Sequence, residues 1–324
     1  QFRLKVGTLY LRRCYILNYY NSFTPMTFRC ACGYALVALS VAVQLNQRVP
    51  DVAQSARAKA NLEKLKPLFW EHVPKCGTSF ANVLLLHEDI CPHGQPLPIV
   101  PPGTFSMDFG HWIDMEKEMC TGSLIPGFRL PAGHCSWPND MAPTQKDLTG
   151  HGVIMLRQPE QRILSAYHRH VGPGELSLPH SWPEKEPPTN INEYLEQQNG
   201  CAVKLLTRQI SNSSDTTHPC MSRVSPTVED VTRAKQQLHV EMAFVGITEE
   251  YDLSVCLFHA MFGGKCHDEE FQNLRPGAFS LTHNDFGASL YDTGELEGWH
   301  DEFDGPLYEE AKLIFQKNLD EYGV

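Results

Sequence analysis

The sequence predicts an α/β fold in which a central, mainly parallel sheet is flanked by helices. Three times along the chain, around residues 69–86, 152–167 and 243–251, an apolar segment passes through a tight turn straight into a helical pattern. At 324 residues, 42% hydrophobic and 20% charged, the chain can bury a full core, most simply as one large domain with a terminal appendage. The net charge of −11, from 27 Lys+Arg against 38 Asp+Glu, provides no basic stripe and argues against a general nucleic-acid binder.

The chain opens on Gln1, and residues 1–25 read as an extension ahead of Met26, a candidate start. Residues 26–48 hold a short basic lead and then a nearly continuous apolar run at 30–45. The run is expected to be a signal-anchor. Arg3, Lys5, Arg12, Arg13 and Arg29 precede it, which leaves the N-terminus in the cytosol and the body in the lumen. The alternative is a signal peptide cut near Ser40-Val41-Ala42. Residues 49–66, rich in Ala, Lys, Glu and Gln, read as an exposed helical stem stopped by Pro67, and 67–324 as the main domain.

The first strand-loop-helix unit is Phe69-Trp70-Glu71-His72-Val73-Pro74-Lys75-Cys76-Gly77-Thr78-Ser79-Phe80, leading into Ala81-Asn82-Val83-Leu84-Leu85-Leu86. Phe80, Val83, Leu84 and His87 share a helical face. Helix starts present unpaired N–H groups and the positive end of the dipole, so such a unit suits an anion. Gly77 admits a close backbone approach, Lys75 adds a point charge, and Thr78 and Ser79 can donate hydrogen bonds. The ATP-binding pattern G-x-x-x-x-G-K-[ST] is absent, since the lysine precedes the glycine. A Pro-Lys-x-Gly turn is also ordinary loop chemistry.

Residues 92–102 are proline-rich, residues 105–120 hold His111 and Trp112, and residues 128–137 read as a short strand ending in Gly133-His134. The second unit runs from Gly152 to Tyr167: a buried β run ends at Arg157, Pro159 pre-sets a first helical turn, and Arg162 and Ser165 stand three apart on one helix face. A cation at the strand end and a hydroxyl in the helix can grip one phosphate from two sides. In the plain structural reading, both arginines pair with acids.

Further on, five prolines between 171 and 189 mark a loop, Asn190 with Glu193 forms a capping box, and Asn212-Ser213-Ser214 is a glycosylation sequon. Thr227 and Asp230 cap a helix leading to the third unit at Ala243–Tyr251, and Leu307, Ala311, Ile314, Phe315 and Leu319 share one face of a C-terminal helix.

Two of these stretches carry a family resemblance. Pro-Lys-x-Gly-Thr-Ser at 74–79 resembles the 5′-phosphosulfate loop of sulfotransferases that use 3′-phosphoadenosine 5′-phosphosulfate (PAPS). R-x-P-x-x-R-x-x-S-x-Y at 157–167 is similar to the 3′-phosphate motif of the Golgi-type members, and the Phe-Val-Gly-Ile-Thr-Glu run at 244–249 to their late core strand. The resemblance implies a three-layer, P-loop-like sulfotransferase fold over 67–324. It also implies transfer of a sulfuryl group from PAPS to a hydroxyl of a glycan or glycoconjugate, and a single-pass type II place in the Golgi membrane with a lumenal body, or secretion as the alternative.

Carried onto this sequence, it puts Lys75 on the phosphosulfate, the backbone of Cys76, Gly77, Thr78, Ser79 and Phe80 around the 5′-phosphate, and Arg157, Arg162 and Ser165 on the 3′-phosphate. Arg275 falls in a loop that closes over the nucleotide. His134 looks like the Gly-His base of the glycan 2-O-sulfotransferases, with His87, Glu88 and Asp89 as alternatives and His111 as a weaker one. Cys76 replaces the small polar residue common in relatives and puts a thiol beside an anion site, where it could be reactive.

The scheme requires no metal, and neither C-x-x-C nor H-E-x-x-H occurs. Of eleven cysteines, eight lie beyond the N-terminal region, an even number suited to disulfides in an oxidising compartment; Cys201 with Cys220 and Cys256 with Cys266 are the pairs suggested by nearness in sequence. Individual buried thiols fit the count as well. The rival readings are tyrosine sulfation within the family, a P-loop kinase or nucleotide hydrolase, and a nucleotide- or glycan-binding protein without activity.

Overall fold

The computed structural model describes residues 52–99, 124–125, 149–170, 190–207, 220, 224–274 and 290–324. Among them, four strands form one sheet: β1 (Leu68–Glu71), β2 (Leu124–Ile125), β3 (Gly152–Leu156) and β4 (Met242–Ile247). Their order is β2-β1-β3-β4, and every neighbouring pair is parallel, as the repeated strand-loop-helix pattern predicts. Gly-Val-Ile-Met-Leu of β3 is buried at all five positions. Alternate side chains point to opposite faces, so both faces of the sheet are covered.

Eight helices accompany the sheet among the described residues: α1 (Val52–Leu65), α2 (Ala81–Leu86), α3 (Pro159–His170), α4 (Ile191–Gln198), α5 (Cys201–Leu206), α6 (Val228–Val240), α7 (Tyr251–Phe262) and α8 (Asp304–Tyr322). The expected caps are present. Asn190 Oδ1 accepts from the backbone N–H of Glu193 at 3.0 Å. Thr227 and Asp230 form a reciprocal box at the start of α6, each side chain accepting from the other's backbone. The predicted apolar face of α8 is buried through Leu307, Ala311, Phe315 and Leu319, with Ile314 at its margin.

Helix α1 stops before Pro67 as predicted, but it is not an exposed stem. Ala58 and Leu62 are buried, and the helix packs on α7. Asn61 Nδ2 donates to the carbonyl of Met261 at 3.2 Å, and Arg57 pairs with Glu321 at 2.6 Å. An alanine and a leucine four apart supply an apolar stripe that burial in the core satisfies, so the folded body begins upstream of residue 67, within the compact unit Arg48–Val324.

Cys201 and Cys220 are joined, as expected. Cys91 is also in a disulfide. The expected Cys256–Cys266 bond is absent: both remain thiols, and Cys266 Sγ lies within 4.8 Å of ligand atoms of His259 and Glu270. Among the described residues no helix is long and apolar enough to cross a membrane; the apolar run at 30–45 lies outside them.

Candidate functional site

In the order β2-β1-β3-β4 the chain leaves β1 for one side of the sheet and β3 for the other. Loops that follow two such neighbouring strands diverge, and ligands of open α/β sheets bind in the crevice this leaves at the carboxyl ends of the strands. The loop after β1 is His72–Phe80, and the residue after β3 is Arg157. The two stretches singled out in the sequence therefore meet at the one place where this topology opens.

The loop after β1 is shaped by two left-handed residues, Lys75 at φ 68° and Gly77 at φ 63°. Alternation of this kind curls successive amides into a concavity suited to anions. The amide of Cys76 is spent on the Val73 carbonyl at 3.1 Å and that of Phe80 on the Gly77 carbonyl at 2.8 Å. The five-residue cradle anticipated from Cys76 to Phe80 thus narrows to Gly77, Thr78 and Ser79, whose amides take no backbone partner among the described residues. Gly77 is needed twice over, for its positive φ and because an added Cβ would lie 3.3 Å from both Met155 Cε and Thr248 Oγ1.

Thr78 and Ser79 open a single 3-10 turn, Thr78–Phe80, that runs into α2. Thr78 Oγ1 and His72 Nε2 share a hydrogen bond at 3.2 Å. Ser79 Oγ accepts from the backbone N–H of Leu274 at 3.0 Å. That contact draws the segment ending at Leu274 onto the loop, one residue short of Arg275, which lies outside the described residues.

Arg157 is buried, and its Nη1 donates to the Lys75 carbonyl at 3.3 Å, tying the two motifs together across 82 residues of sequence. Its Nε stands 3.8 Å from Glu249 Oε1, and its guanidinium lies over the Tyr291 ring at 5.7 Å from the centroid. Burial presses the Arg157 pKa down, while Glu249 works against that. Glu249 organises more than the arginine: Oε1 also accepts from the Gln158 amide at 3.1 Å, and Oε2 from the Tyr308 hydroxyl at 2.9 Å. Gln158 in turn caps α3, its side-chain oxygen accepting from the Gln161 amide at 2.9 Å.

Arg162 is not brought to the loop surface. Its side chain is 1% exposed; Nη2 donates to the Gln198 carbonyl at 2.8 Å, Nη1 to Gln198 Oε1 at 3.4 Å, and Nε faces Asp304 at 4.0 Å. Here the plain reading of an arginine paired with an acid is the one observed. Asp304 also accepts from the amides of Ala202 and Val203 at 3.0 Å each, so this network joins α3, α5 and α8 behind the site. Ser165, one turn beyond Arg162, is buried.

The Cys76 thiol is buried, and burial pushes its pKa up to about 12 against the lowering pull of Arg162 and Arg157. A thiol so desolvated is a poor nucleophile; the reactive cysteine expected beside the anion site is a core residue. His87 is also buried, in ring contact with Phe258 and His259, and burial together with His259 lowers its pKa to about 4. It is excluded as a general base working near neutrality. Helix α2 ends at Leu86, so Glu88, exposed, and Asp89, half-buried, fall in the turn after the helix instead of within it. His134 and His111 lie outside the described residues.

Residues that the sequence did not flag complete the crevice. Gln161 holds Tyr291 through paired bonds, Nε2 to the Tyr291 carbonyl at 2.9 Å and Oε1 from its amide at 2.8 Å. Glu249 closes a strand-turn-helix unit and was open to notice as a strand-end carboxylate. Tyr291, 130 residues from Gln161, carried no local signal. Together the crevice offers a concave amide turn, two hydroxyls, one lysine, one buried arginine and an aromatic face, a set suited to a phosphorylated ligand with a flat ring. Comparison with protein-family models, curated proteins and solved structures found nothing that matches this chain.

Proposed function

We propose that the chain is a PAPS-dependent sulfotransferase of the Golgi type, transferring a sulfuryl group to a hydroxyl of a glycan or glycoconjugate. One observation carries the reading: the hydrogen bond from Arg157 to the Lys75 carbonyl joins the loop resembling a phosphosulfate cradle to the strand end resembling a 3′-phosphate grip, at the sheet's switch point. A second cationic grip beside the cradle suits the two phosphates of a 3′,5′-bisphosphate, and the loop lacks the G-x-x-x-x-G-K-[ST] pattern of ATP sites.

In the reaction the acceptor oxygen forms a bond to sulfur as the bond from sulfur to the bridging oxygen breaks, and the electron pair leaves with the 3′,5′-bisphosphate. The amides of Gly77, Thr78 and Ser79 hold the 5′-phosphate; Lys75 stabilises the charge that grows on the bridging oxygen. Arg157 binds the 3′-phosphate, with Glu249 holding its guanidinium in place. Arg162 acts from behind, keeping α3 against α5 and α8. The acceptor proton goes to His134, with Asp89 or Glu88, and more weakly His111, as the remaining alternatives. The disulfide at Cys201–Cys220 supports the lumenal placement that the run at 30–45 suggests.

The chain from Arg48 onward, which keeps α1, is expected to be stabilised thermally by 3′,5′-adenosine bisphosphate and to move label from PAPS to a glycan acceptor on an array. Stabilisation by ATP with Mg²⁺ and not by the bisphosphate would sink the proposal. Lys75→Ala and Arg157→Ala are expected to weaken nucleotide binding, and His134→Ala to abolish turnover with binding intact; full activity in His134→Ala moves the base elsewhere.

A further inference from the structure

Away from the crevice, His259 on α7, Cys266 in the loop after it and Glu270 in the following 3-10 turn place Nε2, Sγ and a carboxylate oxygen all within 4.8 Å of one another. The hydrogen bonding around His259 gives this cluster a direction. Its Nδ1 lies 2.8 Å from the Gly263 carbonyl, which can only accept, so Nδ1 carries the proton. That leaves Nε2 as the nitrogen turned to Glu270, 2.6 Å from Oε2.

The Glu270 side chain is completely buried, and among the described residues its ion-pair partner is His259 alone. A buried charge is either paired or coordinates a metal. The remaining oxygen, Oε1, accepts from the His267 amide at 3.2 Å, which fixes the carboxylate's orientation. A histidine oriented through its far nitrogen by a backbone carbonyl, and a carboxylate held by an amide, form the outer support that metal ligands ordinarily have.

From this geometry we infer that His259, Cys266 and Glu270 form a zinc site. Nitrogen, thiolate sulfur and carboxylate oxygen are the ligand types zinc takes. Tetrahedral bonds of roughly 2.0–2.3 Å would open the 2.6 Å contact to about 3.3 Å and draw Sγ inward. Cys266 is exposed, in a loop that leaves α7 through Gly263 and Gly264, both at positive φ, so its movement costs little core packing. Cys256, close enough for its charge to act on Cys266, or a water molecule completes the coordination. The site departs from the expectation of a metal-free protein because its spacing, x₆ and then x₃, fits none of the common sequence motifs. It sits beneath a segment that packs on α2 and the 78–80 turn, where Asn82 Nδ2 donates to the Glu269 carbonyl at 3.0 Å. Zinc here would lock that segment, and it stands whether or not the chain transfers sulfuryl groups.

The test is metal analysis of the full chain, produced in a secretory host and purified without chelator. About one zinc per chain is expected, and Cys266→Ser, His259→Ala and Glu270→Gln should each lower zinc affinity by more than about tenfold in competition with a chromophoric chelator. Circular dichroism separates loss of ligand from loss of fold, and Cys266→Ser, altering an exposed side chain, keeps the test decisive if the other two unfold. The cobalt-substituted protein should show a thiolate-to-cobalt charge-transfer band that Cys266→Ser lacks. Zinc bound equally by the wild type and Cys266→Ser would overturn the inference. So would intact-mass analysis showing Cys256 and Cys266 joined in the isolated protein, or a chain that takes up no zinc.

Discussion

At residue 75 the chain accepts strain for a purpose. A lysine at φ 68° occupies a region that disfavours side chains by about 1–2 kcal/mol, two residues before a glycine that occupies the same region freely. Lys75→Gly is therefore expected to raise stability by up to about 1 kcal/mol in a denaturant titration while weakening bisphosphate binding. A variant that loses both would mean that the lysine side chain holds the loop together, and that the left-handed turn is not stored strain. The two arginines separate in the same way. Arg162→Ala takes a cation from the buried Asp304 and the donors from Gln198, and a loss of about 3–5 kcal/mol is expected in chemical unfolding above pH 7, where Asp304 is charged. Arg157→Ala acts chiefly on ligand affinity, because Glu249 keeps its bonds to Gln158 and Tyr308. If Arg162→Ala is as stable as the parent, the buried network is not what anchors α3.

Among the elements, the second half of the chain is pinned at discrete points. Thr227→Ala removes the hydroxyl that accepts from the Asp230 amide at the start of α6, leaves the backbone half of the box in place, and should cost about 1 kcal/mol, read as a lower unfolding midpoint at unchanged denaturant slope. The Cys201–Cys220 bond closes a loop of 19 residues, for which chain entropy suggests about 3 kcal/mol; replacing both cysteines by serine should bring that loss, and a much smaller one would mean that α5 is held by Asp304 and the core instead. Elements of this kind were legible because their signals are local. The Asn190 and Thr227 caps, Pro159 at the start of α3, the all-buried β3 and the apolar face of α8 each follow from a few neighbouring residues. What escaped had causes distant in sequence. Helix α1 reads as solvated from its own composition, and only the presence of α7 turns Ala58 and Leu62 into core. Arg162 reads as a ligand for phosphate, and only Gln198 and Asp304 show where its charge is used. Cys256 and Cys266 are near enough in sequence to suggest a disulfide, yet both remain thiols and Cys266 stands beside the buried Glu270.

For the molecule as a whole, the buried ionisable groups set a dependence of stability on pH that no single contact reveals. His87 is neutral in the core, with a pKa near 4 where the unfolded chain has the ordinary value near 6.5. As pH falls through that window the unfolded chain takes up a proton that the folded protein refuses, so the contribution of His87 to stability, full above about 6.5, is lost toward pH 4. The shift corresponds to about 3 kcal/mol as an order of magnitude. Asp304 works in the opposite sense. Burial and the neighbouring Asp301 push its carboxyl up to about 7, so between its ordinary value of 3.8 and about 7 the folded state binds a proton that the unfolded chain has released, and this part of stability grows as pH falls. The two partly cancel in the wild type, and only a difference measurement isolates either one. His87→Leu puts an apolar side chain against Phe258 and removes the titration, so the gap between variant and wild type should widen in the variant's favour from about pH 7 to pH 4.5. Parallel acid limbs for the two proteins would show that His87 is protonated, or hydrated, within the fold.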